Sequence, residues 1–208
     1  MKKYHIILIL LTVALTATAC VKLGGKPLDK RFFQITPVRS GEPAATSSDL
    51  ILKVRRFSVS DLYNTRELVY RETGGRIDSD FYNMFFVTPG NMLTTELRKW
   101  LAKSGLFAHI IEPGSMVVPN LTLEGVVNSL YGDYSTGAPV AVVEMQFFVV
   151  DESTAANVIV YSNTYAERIP LDQADPQQLV QAMTKGVQMI FTNLENDLAT
   201  APLKNNVQ

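Results

Sequence analysis

The chain has 208 residues, 47% of them hydrophobic and 19% charged, with a formal net charge of −1. That length and apolar content suit a single domain with a sizeable core and exclude a disordered chain, while near-neutral charge without a basic block argues against nucleic acid as a partner. One cysteine and two histidines exclude a disulfide framework and a zinc cluster.

Lys2 and Lys3 open a leader whose residues 6–17 are mostly Ile, Leu, Val and Ala, and no acid precedes Asp29. As a helix this run would extend about 18 Å against roughly 30 Å of bilayer hydrocarbon, so residues 1–19 read as an export signal rather than a span. The lone cysteine, Cys20, follows Ala17-Thr18-Ala19. Small residues before a cysteine are the arrangement of bacterial lipoproteins, although Ala17 stands where their signals usually carry Leu. The same residues suit the ordinary signal peptidase, which would cut the same Ala19–Cys20 bond and leave a bare thiol. An exported, unpaired thiol is an oxidisable liability, so lipidation of Cys20 is the expected outcome, by a diacylglyceryl thioether and an N-acyl chain such as palmitate. No other cofactor and no metal is expected.

Residues 20–31 then form a tether, with Lys22, Lys26, Lys30 and Arg31 against Asp29, and with Gly24, Gly25 and Pro27. Contact with anionic headgroups and a plain solvated linker are both open to it. Val21 behind the cysteine, in place of Asp, points to the outer membrane by enteric-type sorting. Residues 1–19 hold two lysines and no acid, so the rest of the chain carries 17 basic and 20 acidic side chains, a balance of −3. It contains no second apolar run long enough to span a bilayer.

The body, residues 32–199, reads as one α+β domain. Phe32-Phe33-Gln34-Ile35 is a candidate first strand, followed by a Pro-, Ser- and Gly-rich loop over residues 37–49. Leu50, Leu52 and Val54 alternate with Ile51, Lys53 and Arg55 as a half-buried strand, and residues 67–72 repeat the alternation. Gly74-Gly75 marks a hairpin turn into a return strand over residues 80–87, crowded with aromatics. A helix follows, with Thr88 as N-cap, Pro89 at its first position, Leu93, Leu97, Trp100 and Leu101 on its apolar face and Gly105 at its end. Thr95, Arg98, Lys99 and Lys103 mark its solvent side.

Three further strands, over residues 121–128, 143–149 and 158–168, are joined by short turn-rich connections that favour an antiparallel meander. Asp175-Pro176 then starts the clearest helix, whose stripe of Leu179, Met183, Val187, Ile190, Leu194 and Leu198 is widened by Val180 and Phe191. Gly186 inside it costs about 1 kcal/mol relative to Ala, which implies close packing there. Residues 200–208 read as a disordered tail. The expected architecture is antiparallel sheet covered by two main helices.

Nothing in the residues builds an active site. His109, the one histidine beyond the leader, lies in the apolar stretch of residues 107–111 and reads as a surface or satisfied core residue. Ser115 lacks the second glycine of a nucleophile elbow, and Ser104 looks like a helix end. Asp78 and Asp80 have no third acidic neighbour for calcium, and capping accounts for Asp172 and Asp175. The protein is expected not to be an enzyme.

Phe81, Tyr82, Phe85 and Phe86 form a candidate interaction patch for lipid or a partner. Alternate residues of a strand face opposite ways, so half of them are expected under the first helix, leaving the other half to be covered by something else. Tyr131 and Tyr134 pose the same question more weakly.

The order of elements, with Leu68-Val69-Tyr70-Arg71, the segment Phe81-Tyr82-Asn83-Met84-Phe85-Phe86, then Pro89, Met92-Leu93, Leu97, Leu101 and Gly105-Leu106-Phe107, resembles the ABC-type transport auxiliary lipoprotein family. The similarity spans about residues 32–199. The paraquat-inducible membrane-integrity lipoprotein is one branch of that family, and this chain resembles that branch or a relative; Phe86-Val87 stands where many members carry Trp-Ala, so the exact branch stays open. The resemblance implies an outer-membrane-anchored periplasmic lipoprotein that serves an MCE-domain lipid transporter, supports membrane integrity and self-associates in a ring-like manner. It supplies no catalytic residues. An outer-membrane assembly lipoprotein that plugs or chaperones a barrel, and a periplasmic hydrolase, stay open as alternatives.

Overall fold

In the computed structural model, Lys3 and residues 29–44, 48–153 and 156–203 are described. The expectations for the signal segment, for Ala19 and Cys20, and for most of the tether and tail lie outside these residues.

The long strand β7 (Leu121–Asp133) organises the sheet. On one side it pairs antiparallel with β8 (Val140–Asp151), and β8 pairs antiparallel with β9 (Val158–Pro170), as the short connections imply. The other side of β7 is too long for any one partner. Three short strands share it, all parallel to it: β2 (Ser48–Val54) at Leu121 to Leu123, β3 (Ser58–Val59) at Val126 and Val127, and β4 (Glu67–Arg71) at Gly132 and Asp133. β6 (Phe107–Ile111) adds to β2 in parallel, β5 (Ile77–Phe85) adds to β4 antiparallel, and β1 (Arg31–Phe33) adds to β5 in parallel.

The sheet is therefore mixed, which corrects the expectation of purely antiparallel pairing. Tight turns dictate only the neighbours they join, and β2, β3 and β4 reach β7 from remote sequence. β3, two residues long, has no periodicity to announce it.

Helix α1 (Pro89–Ser104) and helix α2 (Pro176–Thr200) cover one face of this sheet. They bury Leu93, Leu97 and Trp100 from the first and Leu179, Met183, Val187, Ile190 and Phe191 from the second, against Leu52, Leu123, Met145 and Phe147 of the strands. Trp100 meets Phe191 edge-on at 5.7 Å between the helices. Burying side chains of this size contributes about 1.5–3 kcal/mol each, so this interlayer supplies most of the driving force for folding.

Two of the four helix ends follow local chemistry. Asp175 accepts from the backbone N–H groups of Gln177 and Gln178 at 2.9 and 3.0 Å, and Gly105 closes α1 with φ 73°. Thr88 occupies the N-cap position of α1 but its side chain caps nothing, and its hydroxyl is buried without a partner. That turn is pressed against the chain before β3: the Phe57 N–H donates to Thr94 Oγ1, and a Cβ on Gly90 would lie 2.8 Å from the Phe57 carbonyl.

α2 runs through Thr200, and Leu203 packs, partly buried, against the core. Gly186 lies where its environment is tight, a Cβ there meeting Val143 Cγ2 at 3.3 Å. No described helix is long and apolar enough to cross a membrane.

Candidate functional site: an aromatic patch at the start of the body

The hairpin of β4 and β5 turns at Gly74 and Gly75, both at positive φ. Its ladder then breaks: Leu68 pairs with Asp80, while Glu67 pairs with Met84. Phe81, Tyr82 and Asn83 are extra residues on β5 with no partner on β4, and they form a bulge of three residues.

Asp80 holds this bulge. Its Oδ1 accepts from the backbone N–H groups of Tyr82 and Asn83 at 2.9 and 3.0 Å, and its Oδ2 accepts from Asn83 Nδ2 at 2.7 Å and the Tyr70 hydroxyl at 2.8 Å. Burial works against the Asp80 charge, but these donors outweigh it and bring the carboxyl below its ordinary range. Burial first, and then the Asp80 carboxylate, push the Tyr70 hydroxyl up. Tyr134 stacks on Tyr70 at 5.2 Å, and burial moves its hydroxyl up to about 12.

β1 completes the surface. Phe32 pairs with Met84 and Phe33 with Phe85, and the Phe86 N–H donates to the Phe33 carbonyl at 2.9 Å. Phe33 turns inward and Phe32 outward, where it meets Phe86 edge-on at 6.0 Å; Phe81 meets Tyr82 in the same way at 5.5 Å. The Lys30 ammonium stands 3.9 Å from the centre of the Phe81 ring, and the Arg66 guanidinium 5.5 Å from that of Phe32. Arg66 is also tied down, donating from Nε to the Phe85 carbonyl at 3.1 Å.

Phe32, Phe81, Tyr82 and Phe86 are each about half exposed or more, at 49, 51, 49 and 65%, and Val87 adjoins them. Phe85, placed in the patch by sequence, is 2% exposed and belongs to the core. The reason is the bulge, which breaks the alternation between Phe81 and Phe85, so that Phe85 points inward with its β1 partner Phe33. Phe32 was missed as a patch residue; its alternation with Phe33 carried the signal, but its pairing partner lay beyond the reach of local pattern.

The other residues considered sit apart. His109 is exposed on β6. Ser104 donates to the Leu101 carbonyl at the end of α1, and Ser115 accepts from the Val117 N–H in a loop. Asp78 pairs with Arg76 at 2.8 Å. Tyr131 is buried and stacks on Tyr63 at 5.5 Å, under the Arg71 guanidinium.

Two polar clusters are satisfied from within. Asp133 accepts from Arg71, Arg168 and Ser135, and Asp197 accepts from Tyr161, Asn163 and Tyr165. Among the described residues no group of three or more His, Cys, Asp or Glu side chains is placed to hold a metal ion.

The fold is a single α+β domain of a kind seen in several solved structures. Protein XCC0632 of Xanthomonas campestris, a DUF330 protein, is 17% identical, with a TM-score of 0.66 over 79% of this chain and 93% of its own. An uncharacterised protein is 12% identical, with a TM-score of 0.62 over 81% and 98%, and the hypothetical protein CT253 of Chlamydia trachomatis is 8% identical, with a TM-score of 0.52 over 73% and 98%. At these identities the likeness is one of fold. No curated protein matches the chain significantly. Residues 33–194 match the ABC-type transport auxiliary lipoprotein component family, and the chain belongs to that family.

Proposed function

We propose that the protein is a non-catalytic auxiliary subunit of an ABC transporter of the MCE type, moving lipid between the inner and outer membranes and supporting envelope integrity. Cys20, freed from Ala19 and carrying diacylglyceryl and N-acyl chains, holds it at the periplasmic face of the outer membrane. The observation that carries this reading is the family match, which runs from the end of β1 through most of α2. The exposed aromatic patch supports it, because it lies where the chain enters the fold from the Cys20 side. Self-association, as in a ring, is favoured by β9, a thirteen-residue strand paired only with β8 among the described strands.

In-cell photo-cross-linking from exposed positions, with identification of the captured proteins, tests the proposal. An MCE-domain protein is expected among them. Capture of barrel-assembly proteins alone would sink the transport reading in favour of an outer-membrane assembly role, and loss of function on replacing His109 would favour a hydrolase.

A further inference from the structure

We infer that the patch of Phe32, Phe81, Tyr82, Phe86 and Val87 docks the folded body on the surface of an anionic phospholipid bilayer, an inference that rests on Cys20 being lipidated. The first argument is reach. Cys20 precedes Lys30 by ten residues, which at full extension span about 35 Å, so an anchored Cys20 holds Lys30 within that distance of the bilayer. Lys30 stands directly on the Phe81 ring. The aromatic surface is thus the part of the body that the anchor presents first.

The second argument is chemical. Half-exposed aromatic rings flanked by cations match a bilayer interface, where rings sit at headgroup level and Lys and Arg meet lipid phosphates. Lys30 and Arg66 lie against these rings, and Arg31 is exposed on β1. The nearby acids are engaged: Asp80 accepts four hydrogen bonds turned into the bulge, Glu67 accepts from the Thr65 hydroxyl, and Asp78 pairs with Arg76. Asp29 is the exposed acid that precedes Lys30.

The third argument is that the rings are held outward. Phe81 and Tyr82 sit on a bulge pinned by a carboxylate with four donors, and Phe32 and Phe86 brace one another across β1 and β5. Exposed aromatic rings gathered in this way at one end of a strand mark an interaction site. The cations favour a phosphate-bearing surface over a purely apolar partner.

Site-directed spin labelling of the full-length lipidated protein tests the inference. With Cys20 blocked by lipid, Phe81→Cys, Phe86→Cys and, as a control on β9, Ile159→Cys each present one free thiol for a nitroxide. The protein is reconstituted into vesicles of phosphatidylethanolamine and phosphatidylglycerol. Labels at 81 and 86 are expected to be shielded from a water-soluble nickel chelate and open to oxygen, with the label at 159 remaining aqueous. Adding Lys30→Glu and Arg66→Glu is expected to return positions 81 and 86 to water.

Aqueous readings at both patch positions in the lipidated wild-type background overturn the docking and leave the transport reading standing. Strong dipolar broadening between labels at 86 on two copies overturns it in favour of a second copy of this chain. An unmodified Cys20, read from the mass of the N-terminal peptide, overturns the docking and the anchored reading together.

Discussion

Arg39 and Glu195, 156 residues apart, meet in a two-pronged ion pair: Nε to Oε2 at 2.9 Å and Nη2 to Oε1 at 2.8 Å. Trp100 Nε1 donates to the same Oε2 at 2.7 Å. One carboxylate on α2 thereby fixes both α1 and the loop that follows β1, with little of either charged side chain exposed. The Glu195 hydrogen bond holds the Arg39 guanidinium above its ordinary range.

Glu195→Ala removes the acceptor of Arg39 Nε and of the Trp100 N–H together, leaving the Arg39 guanidinium with the Gly41 and Glu42 carbonyls alone. Hydrogen bonds to charged groups contribute about 1.5–3 kcal/mol, and a loss of that order is expected in urea unfolding, with a smaller loss for Glu195→Gln. Trp100 fluorescence should shift to longer wavelength in the native Ala variant. A variant as stable as the wild type would show that the pair does not clamp the helices.

Gly125 and Gly186 are expected to respond differently to alanine. A Cβ at Gly125 would lie 2.6–2.8 Å from ring atoms of Phe57, itself buried and edge-on to Phe147 at 5.8 Å, so the ring has nowhere to move. Overpacking of this kind costs about 1–3 kcal/mol. At Gly186 the nearest atom would be 3.3 Å away, a contact that small movements relieve, and the gain in helix propensity of about 1 kcal/mol offsets it. Urea midpoints should fall for Gly125→Ala and stay near wild type for Gly186→Ala.

Acid stability should depend on Asp133. Burial opposes its charge, yet hydrogen bonds from Arg71, Ser135 and Arg168 hold it well below the ordinary carboxylate range. The unfolded chain, with Asp near 3.9, then binds the proton more readily than the folded one. The stabilisation is complete above about pH 4 and is lost as pH falls through the lower folded value. Asp80 and Asp197 are depressed in the same direction. Thermal unfolding of Asp133→Asn should show a lower Tm at neutral pH and a flatter decline in acid than the wild type.

Asp80→Ala should loosen the bulge without disturbing the distant helices. Four donors lose their acceptor, two of them backbone amides of Tyr82 and Asn83. Hydrogen exchange at residues 81–83 is expected to rise, while amides of α2 keep their protection. Unchanged exchange at the bulge would mean that the β1 pairing alone holds it.

Local chemistry made much of the fold readable. Pro176 after Asp175 and the stripe from Leu179 to Leu198 place α2, the alternation of Leu50, Leu52 and Val54 gives β2 its buried face, and Gly74-Gly75 marks the hairpin turn. These signals were legible because each rests on residues within a turn or two of one another. Thr88 shows the limit: its type and position are those of a cap, but packing against the Phe57 backbone decided otherwise.

The candidate patch was half legible for the same reason. Residues 81–86 stood out as aromatic, and the sequence by itself determined that one of the two strand faces would be left to cover. Which rings lie on it depended on the jump from Leu68–Asp80 to Glu67–Met84, which no periodicity contains. Only the tertiary structure decided that Phe85 goes inward and that Phe32 joins from β1, because parallel pairing between remote segments sets the register of both strands. The amphipathic segments and the family resemblance belong to the sequence; the mixed sheet around β7 and the surface beside Lys30 come from contacts between parts of the chain that local pattern does not connect.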